Sequence, residues 1–133
     1  MGQIRRLLGG AASRDAAGLV LRWRPGEVAV EFSNGRSQRI RYELVGDLYV
    51  FRSEVARPAA VGRVGRERLA REILLRNRAA DVVAFRFTKR GGVEGVIEQR
   101  ASTLQPEELR YYLAQLAREA DRFEFALSDA DSH

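Results

Sequence analysis

The feature that most restricts what this chain can fold into is a two-residue alternation running from Leu19 to Val55, cut at short intervals by turn signals. Leu19, Leu21 and Trp23 alternate with Val20, Arg22 and Arg24, and Pro25-Gly26 then interrupts the run. Val28, Val30 and Phe32 follow, and Asn34-Gly35 marks a hairpin, because both residues tolerate the positive φ of a type I′ turn. Ile40, Tyr42 and Leu44 oppose Arg39, Arg41 and Glu43; after Gly46-Asp47, Tyr49, Phe51, Ser53 and Val55 alternate with Val50, Arg52 and Glu54. Successive side chains of a strand point to opposite faces, so each run has one apolar and one charged side. Up to four antiparallel strands in sequence, a meander, are predicted.

Helical periodicity takes over further on. Arg57-Pro58 and the glycines at 62 and 65 read as a linker, and Leu69, Ile73 and Leu74 set a helix over 66–78 with those three facing the core. A hairpin follows, with Val83, Phe85 and Phe87 on one strand face, a turn at Lys89-Arg90-Gly91-Gly92, and a return strand over 93–101. Pro106 suits the first position of a helix, and Glu107 and Glu108 meet the positive end of its dipole. Leu109, Leu113, Leu116, Ala120, Phe123 and Leu127 then form one buried stripe. Before the meander, residues 1–18 hold a short helix at Gln3–Leu8 or a flexible segment; residues 129–133 form a polar tail. The expected fold is α+β in a single domain over 19–128: an antiparallel meander of three to four strands, helix, hairpin and long C-terminal helix, the helices covering one sheet face.

At 133 residues one such domain accounts for the chain, with enough core to need no cross-links. The absence of cysteine removes disulfides and thiolate chemistry, and the lone histidine is His133 at the very end. No run approaches the ~18 apolar residues of a membrane span. The apolar run at the N-terminus is too short for a signal peptide, so a cytoplasmic protein is expected.

The residues offer little chemistry. No nucleophile elbow, phosphate loop or zinc motif is present. Gly62 and Gly65 precede a helix, but their spacing fits no phosphate-binding loop. Glu27 and Glu31, and Glu94 and Glu98, share strand faces with arginines, which describes a solvated charged surface better than a carboxylate site. Asp121 and Glu124 lie one helical turn apart near Arg118 and Arg122, as surface ion pairs would. Neither an enzyme nor a cofactor is expected.

Binding is the better prospect. The formal charge is +5, and 22 of the 23 basic residues are arginine, which codon bias or an acidic partner would each explain. On the outer sheet face Arg22, Arg24, Arg39, Arg41 and Arg52 form a basic stripe able to meet phosphates, without aromatic platforms for bases. Of the adjacent Tyr111 and Tyr112 only one can face the core; Tyr112 fits the stripe, leaving Tyr111 as an exposed anchor of the kind enriched at interfaces.

Thr103-Leu104-Gln105-Pro106-Glu107-Glu108-Leu109 and the later 116–124 stretch resemble the end of YbjN-like proteins, and Asn34–Ile40 and Asn77 are similar to that family as well. The resemblance spans roughly 19–128 and rests on caps, turns and core positions. It implies the type III secretion chaperone-like fold, a homodimer, and action by contact with a protein client, with no catalytic residue to carry over. Two departures stand out: the family normally begins with a full helix, and the secretion chaperones are typically acidic. The expected function is a chaperone-like or adaptor module that binds a protein client, with Arg110, Tyr111 and Arg118 on the last helix and Arg39 and Arg41 on the sheet as candidate contacts. The alternative is a nucleic-acid-associated protein using the arginine stripe.

Overall fold

The computed structural model describes residues 2–15 and 17–131, with side chains described as far as Ser128; His133 and Ser132 of the expected tail lie outside them. Along the chain come α1 (Gln3–Leu8), β1 (Ala12–Arg14), β2 (Val20–Arg24), β3 (Glu27–Glu31), β4 (Ser37–Val45) and β5 (Leu48–Ala56). Then follow α2 (Pro58–Val64), α3 (Arg66–Ala79), β6 (Ala84–Phe87), β7 (Val93–Arg100), a 3-10 turn (Ala101–Thr103) and α4 (Pro106–Asp131). The strands form one antiparallel sheet in the order β1-β2-β3-β4-β5-β7-β6. The α+β meander, the hairpin and the long last helix are as the sequence predicts.

The sheet is two-faced because the alternation holds through its register. Leu21 pairs with Val30 and Val28 with Ile40, all four side chains being buried on the helix side, while Arg22 and Arg39 flank Ala29 on the other. Leu109, Leu113, Leu116, Ala120 and Phe123 of α4 are each fully buried against that inner face. Helix and sheet come close at Gly95 of β7, where a Cβ would lie 3.0 Å from Leu116 Cδ1 and 3.1 Å from Phe85 Cε1. A Cβ here would make Leu116 and Phe85 give way by a few tenths of an ångström.

Polar side chains fix the helices in place. Ser53, fully buried on β5, donates to Gln38 Oε1 at 3.0 Å, and Gln38 Nε2 donates to Glu124 Oε2 at 2.9 Å. Arg36 reaches Asp121 Oδ1 at 3.0 Å. Asp121 and Glu124 therefore serve β4 rather than Arg118 and Arg122, and Arg122 pairs instead with Glu119. At the other end, Tyr49 donates its hydroxyl to Gln3 Oε1 at 2.8 Å and Gln3 Nε2 donates to the Ala101 carbonyl at 2.9 Å, seating α1.

Several expectations give way. The stretch read as a linker is α2: Pro58 opens it, Val61 is buried, and Gly65, with φ 101°, separates it from α3. Gly62 lies within that helix on its exposed side. A three-residue strand, β1, forms inside the segment expected to be a short helix or flexible, while α1 spans the expected Gln3–Leu8. The Asn34-Gly35 hairpin is not type I′, since only Gly35 has positive φ; Phe32 pairs with Arg36 around a three-residue loop closed by that glycine. Leu44 keeps the inner parity but is 52% exposed close to the β4–β5 turn, although Tyr49 opposite it is buried. Leu74 is 61% exposed, a further 100° around α3 from buried Ile73. Helix α4 runs through Asp131, into the stretch expected as a tail.

Gly95→Ala is expected to cost about 1–3 kcal/mol, read as a lower urea midpoint at unchanged slope, because Leu116 and Phe85 would each have to shift by a few tenths of an ångström within the core. Burial raises the Tyr49 pKa above 10.0, Tyr42 adds to the rise, and Arg6 opposes it. A raised folded pKa means that the folded state holds the proton more tightly. The stabilisation is complete below the unfolded value and is lost as pH rises through the folded one. Tyr49→Phe should accordingly show a shallower loss of unfolding free energy in alkaline titration than the parent protein.

Candidate partner-binding groove

The start of α4 builds one wall of a groove. Glu108, in its first turn, accepts the Gln105 backbone N–H at 3.2 Å, half of a capping box. With Leu109 and Leu113 fixed on the sheet, helical geometry turns Arg110, Tyr111, Ala114 and Arg118 toward the segment after β1. That segment is shaped by Asp15, whose Oδ1 accepts the backbone N–H groups of Ala17 at 3.0 Å and Leu19 at 2.8 Å. Between the two walls lies an open groove of about 410 Å³, which Arg14 also lines.

Three of the five candidate contacts meet here. Tyr111 is 47% exposed and rests edge-on against the half-buried Tyr112, ring centroids 5.8 Å apart. Arg110 donates to the Leu8 carbonyl at 3.2 Å, so it also ties α4 to the end of α1. Arg118 and Arg14 have no carboxylate within ion-pair distance among the described residues. The groove thus offers an aromatic surface near two arginines, Arg14 and Arg118, that have no carboxylate partner among the described residues, with Asp15 and Glu107 also on its lining.

It also adjoins an open sheet edge. Trp23 donates its backbone N–H to the Ala11 carbonyl, which sets the phase of the β1–β2 ladder so that the backbone groups of Ala12 and Arg14 face away from β2. The opposite edge is blocked at its middle. Asn77 of α3 accepts the Phe85 N–H at 2.7 Å and donates to the Phe85 carbonyl at 2.9 Å, occupying the positions a further strand would take.

Arg39 and Arg41 lie elsewhere, on the outer sheet face, where charges alternate. Arg39 pairs with Glu27 at 3.1 Å, Arg22 with Glu31 at 2.8 Å, Arg52 with Glu43 at 2.7 Å and Arg86 with Glu94 at 3.6 Å. Arg41 and Arg24 have no such partner among the described residues. Most of the stripe is therefore neutralised by its own sheet. Among the described residues no group of acidic or histidine side chains could hold a metal ion, and no helix is long and apolar enough to cross a membrane.

Arg14 and Asn77 were missed as contributors to the two edges. A three-residue strand is too short to show alternation, and Asn77 sits in a helix whose sequence gives no sign of the strand it will meet. Because Tyr111 is held by little besides Tyr112, Tyr111→Ala should change stability by less than about 1 kcal/mol. Tyr112→Ala, which removes a ring packed on the core, should cost roughly 2 kcal/mol or more in the same denaturant titration.

No family model and no curated protein sequence matches the chain. Among solved structures, a chain of the ExsC–ExsE complex aligns over 95% of this chain and 94% of its own length, with a TM-score of 0.57 at 19% identity. YbjN from E. coli aligns over 98% of this chain and 90% of its own, with a TM-score of 0.47 at 14% identity. The likeness to the ExsC–ExsE chain runs the length of both molecules and is one of fold: this chain has the type III secretion chaperone-like architecture.

Proposed function

We propose that this protein is a non-enzymatic, chaperone-like or adaptor module that binds an extended segment of a client protein at the β1 edge. The observation that carries this is the pairing of an open edge at Ala12 and Arg14 with a groove lined by Tyr111, Arg110 and Arg118, while the far edge is occupied by Asn77. A client strand laid along β1 gains main-chain hydrogen bonds, and its alternate side chains enter the groove. Tyr111 supplies contact area at small entropic cost, and Arg14 and Arg118 favour a client carrying carboxylates. The ExsC–ExsE structure, a complex of this fold, supports a protein as the partner.

The module acts in this account as a cytoplasmic homodimer. Its outer sheet face, with arginine and glutamate alternating and Val45 59% exposed, is suited to self-complementary contact about a two-fold axis. Arg39 and Arg41 belong to that contact rather than to the client groove. The internal ion pairs of this face leave it less charge for phosphates than its sequence suggests.

Affinity capture from nuclease-treated lysate of the source cells, with the parent protein, Ala12→Pro and Tyr111→Ala in parallel, tests the proposal. Proline at position 12 removes an outward N–H without touching the β1–β2 ladder. A protein retained by the parent and reduced about tenfold or more by each variant is expected. Equal retention by all three contradicts the edge and groove; a nucleic acid bound with steep salt dependence, and no protein, would favour the arginine-stripe alternative.

A further inference from the structure

The net charge of the molecule is concentrated in one place. Residues 57–78, which form α2 and almost all of α3, hold seven arginines against two glutamates, Glu67 and Glu72, a formal +5 that equals the net charge of the entire chain. The rest of the protein is formally neutral. Codon bias would explain why the basic residues are arginines, but not why the excess falls on one pair of helices.

Helix α3 buries Leu69 and Ile73, and Arg76 and Arg66 turn inward to lie over Phe123 and Phe87, at 4.3 Å and 4.0 Å from the ring centroids. Its opposite side presents Leu74 and Leu75, 61% and 58% exposed, between Arg68, Arg71 and Arg78. None of these three arginines has a carboxylate partner among the described residues, in contrast to the outer sheet face. From Arg68 to Arg78 the stripe is about 15 Å long at the rise of an α-helix. Two adjacent exposed leucines between Arg71 and Arg78, with Arg68, Glu67 and Glu72 alongside, repeat the apolar-centre, polar-rim layout of a protein interface, with arginine in excess.

We infer that the exposed face of α3 is a second docking surface, which takes an amphipathic segment of a partner protein carrying glutamate or aspartate around apolar side chains. Charge complementarity selects this occupant. A second copy docked face to face would set Arg68, Arg71 and Arg78 against their own equivalents, and like charges across an interface are costly. A nucleic acid would satisfy the arginines but leave both leucines against phosphate and sugar. The inference deepens the protein-binding proposal by naming another face and its partner chemistry, and places that partner away from the β1 edge.

The test uses the full chain and a fluorescein-labelled helical peptide of glutamate, alanine and leucine with its leucines on one face, followed by anisotropy at physiological ionic strength. Leu74→Ser/Leu75→Ser and Arg71→Glu/Arg78→Glu should each weaken binding by about tenfold or more, without shifting the thermal melt, since the side chains are exposed. The lysine counterpart of the peptide should not bind. Several outcomes overturn the inference: no binding, equal binding of a peptide lacking leucine, tighter binding of a DNA duplex, or loss of self-association in the same variants. Binding that survives both α3 variants and is lost in Tyr111→Ala also overturns it, yet leaves the groove proposal standing. Client capture lost in Ala12→Pro with peptide binding intact would separate the two surfaces the other way.

Discussion

The contact between α4 and the sheet at Gly95 is the constraint from which the rest of the arrangement follows. A Cβ there would lie at 3.0 Å from Leu116, so glycine lets the helix come this close without displacing its leucine. With that distance set, Leu109, Leu113 and Phe123 are buried and the flanking residues of α4 are turned to its sides. Arg110 and Tyr111 reach the groove because the leucine stripe is fixed, and Glu124 meets Gln38 for the same reason. Placing a functional side chain here is a consequence of packing on the opposite side of the same helix.

The two sheet edges are treated differently by the fold. At β6 the amide of Asn77 substitutes for a neighbouring strand, satisfying both backbone groups of Phe85. At β1 no equivalent side chain takes the outward groups of Ala12 and Arg14 among the described residues. Open edges invite pairing with other chains, and proteins usually shield them. A short strand bordered by arginines limits indiscriminate pairing while leaving room for a selected partner. The outer sheet face, by contrast, satisfies most of its charges internally.

Much of this was legible in the sequence wherever a regular period meets a regular partner. Four meander strands, the β6–β7 hairpin and α4 each follow from alternation, turn residues or the leucine stripe, and the exposure of Tyr111 follows from the same stripe. What was hidden depends on contacts between segments distant in the chain. Gln38 is a polar residue at an inward position, and its burial is made tolerable by Ser53 on the neighbouring strand and by Glu124, 86 residues on. The helix α2 was concealed by Gly62, whose lack of propensity is outweighed by the packing of Val61 and Val64. Leu44 and Leu74 show the converse: correct phase does not bury a side chain where no neighbour covers it. For the same reason the groove had no signature of its own, since half of it comes from a three-residue strand and its loop.

The central claim is that one sheet edge is open and the other closed, and amide hydrogen exchange of the free protein, resolved by residue, tests it most directly. The account predicts that the Phe85 amide, held by Asn77, exchanges as slowly as interior strand amides, while Ala12 and Arg14 exchange at rates close to those of exposed loops. Slow exchange at Ala12 and Arg14 together with rapid exchange at Phe85 would contradict it.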